Sequence, residues 1–193
     1  MKYLFQKITN RFIYRPFLKI KLKKVGANFR IGYCSEIKNP SYFSFGDNFY
    51  SGPFSYFGTN KNNPVFIGDY VMFGPRCIIQ GGNHDIEYEG FMYNNKNIDH
   101  MSSELVIENG VWIGSNTTLI NGTDIGEGSI IGAMSLVNKK IPPYVVAGGI
   151  PIRVIKPRFK SLEQLQSTLT KTNSKYNLDS IIKMHKELGF HYD

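Results

Sequence analysis

From Ile107 to Pro142 an aliphatic residue recurs every six positions without a break: Ile107, Ile113, Leu119, Ile125, Ile131 and Val137. A small or β-branched residue stands four places after each (Val111, Thr117, Thr123, Ser129, Ser135, Ile141). Neither the 3.6-residue period of a helix nor the two-residue period of a strand holds a strict six. A fixed short period signals a solenoid whose coils stack on one another. A strand rises about 3.3 Å per residue, so six residues make one short side and its corner. Three sides close a triangular coil of roughly eighteen residues, and the next coil hydrogen-bonds to it at about 4.8 Å. This phase stacks Ile107 on Ile125, Ile113 on Ile131 and Leu119 on Val137, and predicts an all-β chain built as a parallel β-helix. Gly114, Gly126 and Gly132 each follow an opening aliphatic, where a corner or a close backbone approach suits glycine.

The pattern is fainter upstream. Ile67, Phe73 and Ile79 keep the phase of one coil, and Ile31 and Ile37 begin the prism. Phe45 and Ser51 fit only if the register slips by two. Aromatics crowd this half (Tyr42, Phe43, Phe45, Phe49, Tyr50, Phe54, Tyr56, Phe57) and are expected in the core or at interfaces. The ends read differently. Residues 1–25 carry apolar stripes at helical spacing (Leu4, Ile8, Phe12; then Ile13, Phe17, Ile20), with Pro16 as a break, and read as a helical cap. Residues 26–158 form the β-helix, interrupted by a loop at 83–105. Residues 159–193 predict two helices: one capped by Ser161 and carrying Leu162, Leu165 and Leu169, the other carrying Leu178, Ile181, Ile182, His185 and Leu188 and stopped by Gly189. His185 is expected to be a packed histidine.

Charge changes this picture at one end only. Residues 1–24 hold eight basic side chains and no acid, which equals the net charge of +8. A basic amphipathic segment of this kind caps the open prism, rests on an anionic membrane surface, or does both. Nucleic acid is not the expected partner, because no RNA-binding motif accompanies the basic residues. Two cysteines make no disulfide framework: Cys77 takes a small-residue slot and Cys34 reads as an ordinary thiol, both reduced. No run of about eighteen apolar residues occurs, and no signal-peptide core precedes a cleavage site. The expected location is cytoplasmic, at most at the inner face of the membrane.

Four features together carry a resemblance: the hexads, a histidine opening the long loop (Gly82-Asn83-His84), the segment Val111-Trp112-Ile113-Gly114-Ser115, and the closing Ile141–Lys156. The stretch from Ile67 to Phe159 resembles the hexapeptide-repeat acyltransferases. The nearest pattern is the O-acetyltransferase branch that includes galactoside, maltose, xenobiotic and surface-polysaccharide acetyltransferases. The resemblance implies a left-handed coil, an exception to the usual right-handed crossover. It also implies a homotrimer, acetyl-CoA as co-substrate and no metal.

Chemistry is expected at the interruption, since Ile79 to Ile107 exceeds a whole number of hexads and the excursion is polar. His84 stands where the loop leaves the prism. An imidazole with an ordinary pKa near 6.5 takes a proton from an acceptor hydroxyl at neutral pH, and the oxygen then attacks the thioester directly. His100 is a more distant alternative base. Asn83, Asp85 and Tyr88 are candidate acceptor contacts, with Asp85 or Glu87 also placed to orient the imidazole. By resemblance, Ser115 contacts acetyl-CoA and Trp112 flanks the same groove. Ala133 admits the pantetheine arm, Asn138 and Lys139 stand for a Thr-Lys pair, and Arg153 and Lys156 face the nucleotide phosphates. Lys156 replaces a usual arginine, and Gly52 replaces an acceptor-binding asparagine, which puts galactoside specificity in doubt.

The expected activity is O-acetylation of a sugar of capsule, lipopolysaccharide or a related glycan. An amino-sugar or antibiotic acetyltransferase uses the same base, and a non-catalytic, membrane-associated trimeric scaffold is the reading from another class. A zinc prism of the carbonic-anhydrase kind is disfavoured, because it needs three converging histidines and only His84 and His100 lie in this region.

Overall fold

The computed structural model describes residues 2–95 and 103–192, so His100 lies outside the described residues. The hexads build a left-handed parallel β-helix with helices at both ends. Strands of mostly two or three residues stack into three sheets. The first face collects Lys24–Val25, Phe43–Phe45, Val65–Ile67, Leu105–Ile107, Asp124–Ile125 and Lys140–Ile141. The second runs from Arg30–Ile31 through Tyr50–Ser51, Met72–Phe73, Trp112–Ile113 and Ile130–Ile131 to Val145–Gly148. It ends in Arg153–Pro157, which folds back antiparallel on Val145–Gly148. The third holds Glu36–Lys38, Tyr56–Gly58, Ile78–Gln80, Thr118–Ile120 and Leu136–Val137. Ile107 pairs with Ile125, Ile113 with Ile131 and Leu119 with Val137, as the six-residue phase predicts. All six are buried.

Each corner has two backbone requirements. The fourth residue of a unit turns left-handed: φ is +58° at Asn48, +57° at Tyr70 and Asn116, and +66° at Gly110 and Gly128. The second residue lies against the neighbouring coil. A Cβ on Gly114 would stand 2.4 Å from the Ala133 nitrogen, and on Gly126 2.4 Å from the Pro143 nitrogen. Gly132 differs from the expectation, because its nearest neighbour would be 3.6 Å away and no close approach demands glycine there.

Along the first face, the stacked partners Lys24, Ser44, Phe66, Val106, Asp124 and Lys140 are separated by 20, 22, 40, 18 and 16 residues. The expected slip around Phe45 comes from the 3₁₀ turn Pro40–Tyr42, and residues 59–64 add a further excursion. The last unit needs correction. Val137 is followed after only four residues by Ile141, which stacks on Ile125 as the opener of the next coil and is not a small-slot residue. Every departure from eighteen falls on the corner between the third and first faces.

Phe29, Phe43, Phe45, Phe49, Phe57 and Phe73 fill the early coils, with Phe45 and Phe49 centroids 4.6 Å apart. Tyr50 and Phe54 point outward. Cys77 is buried, its Sγ 3.2 Å from the Gly114 carbonyl, and burial pushes its thiol pKa up; Cys34 is exposed. The inner row of the N-terminal helix covers the first coil through Leu18 and Leu22.

At the other end, Ser161 accepts from the Gln164 N–H to start Leu162–Thr172, and Asn177 does the same for Leu178–Glu187. Leu165, Leu169 and Ile181 pack against Tyr144. Leu188 caps the second helix and is exposed, unlike the rest of its stripe. His185 is fully buried. Its Nε2 lies 2.9 Å from the Pro143 carbonyl, which can only accept, so Nδ1 accepts from the Tyr192 hydroxyl at 2.5 Å. Burial lowers its pKa.

Two predictions follow from this packing. Gly114→Ala should cost about 1–3 kcal/mol of overpacking and lower the melting temperature by several degrees, whereas Gly132→Ala should be close to neutral. Equal melting shifts would refute the distinction. His185 binds its proton more weakly folded than unfolded, so its stabilisation is present above pH 6.5 and is lost as pH falls below it. One proton gives a slope of at most about 1.4 kcal/mol per pH unit. Urea titrations of wild type and His185→Gln between pH 7 and pH 5 test this, and equal pH slopes would count against it.

Candidate functional site

The irregular corner carries its own polar scaffold. Asn39 Nδ2 donates to the Thr59 carbonyl at 2.7 Å, the Thr59 hydroxyl donates to the Asn63 carbonyl, and Asn63 Nδ2 donates to the Ser103 carbonyl at 3.2 Å. Three consecutive coils are thereby tied where their lengths differ. The long loop leaves from this scaffold. Gly81 N–H continues the ladder to the Gly58 carbonyl at 2.8 Å, and Gly82 N–H donates to Asn121 Oδ1 at 2.7 Å, one coil further on.

His84 comes two residues later, exposed, with its own N–H donating to Asn83 Oδ1 at 2.9 Å. Asp85 begins a turn: its Oδ1 accepts from the Glu87 N–H at 3.0 Å, and its carbonyl accepts from buried Asn95 Nδ2 at 2.8 Å. The base of the loop is held from both sides, so the imidazole is presented to solvent from anchored backbone. Tyr88 is half-buried, whereas Ile86, Phe91 and Tyr93 are 81%, 84% and 98% exposed.

The remaining candidates fall into two places. Asn138 and Lys139 are exposed on the same corner as His84, in the short final unit. The others gather on the second face and the corner after it. Ser115 and Ala133 sit one coil apart, where the Met134 N–H donates to the Ser115 carbonyl at 2.9 Å. Trp112, 49% exposed, stands between Met72 and Ile130. With Tyr50 it completes an outward apolar ladder along the second face. Arg153 and Lys156 are exposed on the antiparallel closing strand. Within one chain, His84 and the Ser115–Ala133 edge therefore occupy different corners.

A cavity of about 720 Å³ contains none of these residues. It lies on the first face between Lys23, Phe66, Val106 and Lys175. Its rim is structural: Glu108 pairs with Lys175 Nζ at 2.5 Å and accepts from the Tyr176 hydroxyl at 3.0 Å, while buried Glu127 takes the Tyr144 hydroxyl. Burial, then the Glu108 carboxylate, push the Tyr176 pKa up to about 12. This network fastens the C-terminal helices to the prism. Among the described residues, no group of three or more His, Cys, Asp or Glu is placed to hold a metal ion. Sequence reasoning counted Asn95 only among the polar residues of the loop and passed over Asn121; their role as anchors of the loop base has no local signature, because each acts across a loop or a coil.

The comparisons with known proteins agree with this architecture. The family model described as bacterial transferase hexapeptide (six repeats) matches residues 105–139. The galactoside O-acetyltransferase of Lactococcus lactis subsp. lactis (strain IL1403) is 33% identical over 160 residues, covering 78% of this chain and 73% of that protein. The galactoside O-acetyltransferase of Escherichia coli (strain K12) is 38% identical over 130 residues, covering 65% of this chain and 62% of that protein, so the match spans less than two thirds of that relative. A solved galactoside acetyltransferase in complex with coenzyme A superposes with a TM-score of 0.67 at 32% identity, covering 76% of this chain and 70% of that one. The chain belongs to the hexapeptide-repeat acetyltransferase family.

Proposed function

We propose that this chain transfers an acetyl group from acetyl-CoA to a sugar hydroxyl of a capsular, lipopolysaccharide or related envelope glycan. The observation that carries the reading is His84: an exposed imidazole on a loop anchored at both sides, at the one corner where the prism varies its length. His84 takes the proton of the acceptor hydroxyl as that oxygen forms a bond to the thioester carbonyl carbon. The carbon–sulfur bond of the tetrahedral intermediate then breaks, and the proton passes from the imidazolium to the departing CoA thiolate. No acyl-enzyme forms, and neither Cys34 nor Cys77 takes part.

CoA follows the second face and its corner. Exposed Arg153 and Lys156 meet the phosphates, which suit guanidinium and ammonium groups. The small side chain of Ala133 leaves room for the pantetheine arm beside Ser115, with Trp112 flanking, and Asn138 and Lys139, on the His84 corner, reach the arm from the subunit that supplies the loop. Asn83, Asp85 and Tyr88 line the acceptor side.

His84 and the Ser115–Ala133 edge lie on different corners of one chain, so a complete site needs the edge of one subunit and the loop of another. A closed cyclic trimer gives three such sites. The exposed ladder of Tyr50, Met72 and Trp112 and the bare Ile86, Phe91 and Tyr93 give each chain apolar surface to bury on its neighbours.

His84→Ala should lower turnover by about a hundredfold to ten-thousandfold with little change in CoA affinity. Acetyl transfer to a panel of sugars, amino sugars and antibiotics, with calorimetry for CoA, makes the test, and wild-type turnover in the variant refutes the base. Light scattering should report a mass near three chains, with activity lost on dilution before the β-helix unfolds. A fully active monomer refutes the shared site.

A further inference from the structure

We propose that the N-terminal helical segment docks the protein on an anionic lipid surface, its outer apolar stripe entering the interface and its basic side chains meeting the headgroups.

The segment runs as α-helix Lys2–Thr9, one π turn Asn10–Tyr14 and α-helix Arg15–Lys21. One row of side chains at a spacing of four, Asn10, Tyr14, Leu18 and Leu22, is used up against the prism. Leu18 and Leu22 are 3% and 8% exposed, Asn10 Nδ2 donates to the Gly32 carbonyl at 3.2 Å, and the Tyr14 hydroxyl accepts from the Ile37 N–H at 3.3 Å. Arg15 Nε donates to the Ile31 carbonyl at 3.0 Å, so the helix is clamped to the first coil on that side.

The opposite result holds for a second row. Leu4, Ile8, Phe12, Ile13, Phe17 and Ile20 are 63%, 48%, 67%, 67%, 55% and 84% exposed. In an unbroken α-helix, the set after residue 12 would rotate away from the set before it. A π turn spends one extra residue on a turn. Counting that residue out gives steps of four, four, four and three from Leu4 through Ile8, Phe12 with Ile13, and Phe17 to Ile20. The π turn thus joins two short stripes into one continuous stripe along the segment.

Charge identifies the occupant. Residues 1–24 contain eight basic residues and no acid. Arg11, Lys19 and Lys21 are exposed on the same segment, and Lys21 Nζ lies 4.2 Å from the Phe17 ring centroid; Lys23 and Lys24 follow at the first coil. Two copies of this surface repel each other, which disfavours pairing of caps. Apolar side chains flanked by lysine and arginine stems are the composition that sinks into a headgroup boundary while the charges stay at its surface. None of the described helices is long and apolar enough to cross a membrane, so the contact is peripheral. Each chain docks by itself. In the proposed trimer, cyclic symmetry sets all three caps at the same level along its axis, where they would bind together.

The test is sedimentation of the full chain with vesicles of phosphatidylcholine alone and of phosphatidylcholine mixed equally with phosphatidylglycerol. Binding is expected to the mixed vesicles, weakened by salt. An Arg11→Gln/Lys19→Gln/Lys21→Gln variant should bind about a hundredfold more weakly, at roughly 1 kcal/mol per basic residue. A Phe12→Ser/Phe17→Ser/Ile20→Ser variant should also lose binding while changing the melting temperature little, because each of these side chains is more than half exposed and lies outside the buried core. Acetyl transfer to a water-soluble acceptor should be unchanged in both, which separates this proposal from the assignment of the active site. Equal binding to neutral vesicles would overturn it. So would absence of binding, or a light-scattering mass above three chains that the serine variant brings back down, since the stripe would then be a protein interface.

Discussion

The corner is the constraint on which the rest of this molecule depends. A flat side of two or three residues can stack on its neighbour at about 4.8 Å only if the chain turns sharply and turns the same way each time. Here the turn places the fourth residue at positive φ and presses the second against backbone one coil away. Once these two conditions repeat, the opening aliphatics align without further instruction and the parallel ladders close. Left-handed geometry at non-glycine residues such as Tyr70 and Arg76 is unfavourable locally. It is tolerated because the hydrogen bonds of the coils on either side fix the corner.

Two of the three corners keep the left-handed fourth residue coil after coil, one from Asn28 to Tyr144 and the other from Cys34 to Met134. The third, between the third and first faces, absorbs the 3₁₀ turn at Pro40–Tyr42, the excursion at 59–64, the long loop and the two-residue shortening at 138–139. Segregating irregularity on one edge leaves the other two free to present regular, closely spaced backbone. Function on a rigid scaffold concentrates where the chain can vary without disturbing the core. His84, Asn138 and Lys139 share the variable edge, whereas Ser115 and Ala133 sit on a regular one.

The regular coils were legible because their cause is local. Six-residue spacing fixes which residues point inward, so the ladders from Ile107 to Val137 and the burial of Cys77 followed from sequence. The short final unit was not legible. Ile141 satisfies both the small-slot pattern and the opening-aliphatic pattern, and only its pairing with Ile125 decides between them. Gly132 looked like Gly114 in sequence, but a Cβ there would make only ordinary contacts, 3.6 Å from the Ala147 carbonyl oxygen and 3.8 Å from the Gly148 Cα. The candidate site was read from residue types, His84 at the interruption and the cofactor candidates along the regular coils. The division of its members between two corners and the anchoring by Asn95 and Asn121 were not, since those are properties of coil stacking and of contacts across a loop.

The ends of the solenoid face a common problem with different solutions. An exposed terminal coil offers unpaired backbone to any passing strand. At the C-terminal end, Arg153–Pro157 folds back and the helices bury Tyr144, with His185 bonded to the Pro143 carbonyl of the last coil. At the N-terminal end one helix covers the first coil with a single row and leaves a wide apolar and basic surface outside. A cap needed only for closure would bear polar residues there, as the C-terminal helices largely do. The His84 loop leaves the third coil, so its base stands two coil rises, about 10 Å, from the capped coil. A cap resting on lipid therefore holds the proposed base within reach of acceptors anchored at the membrane surface. The same short coil rise that makes the prism stiff makes that distance small.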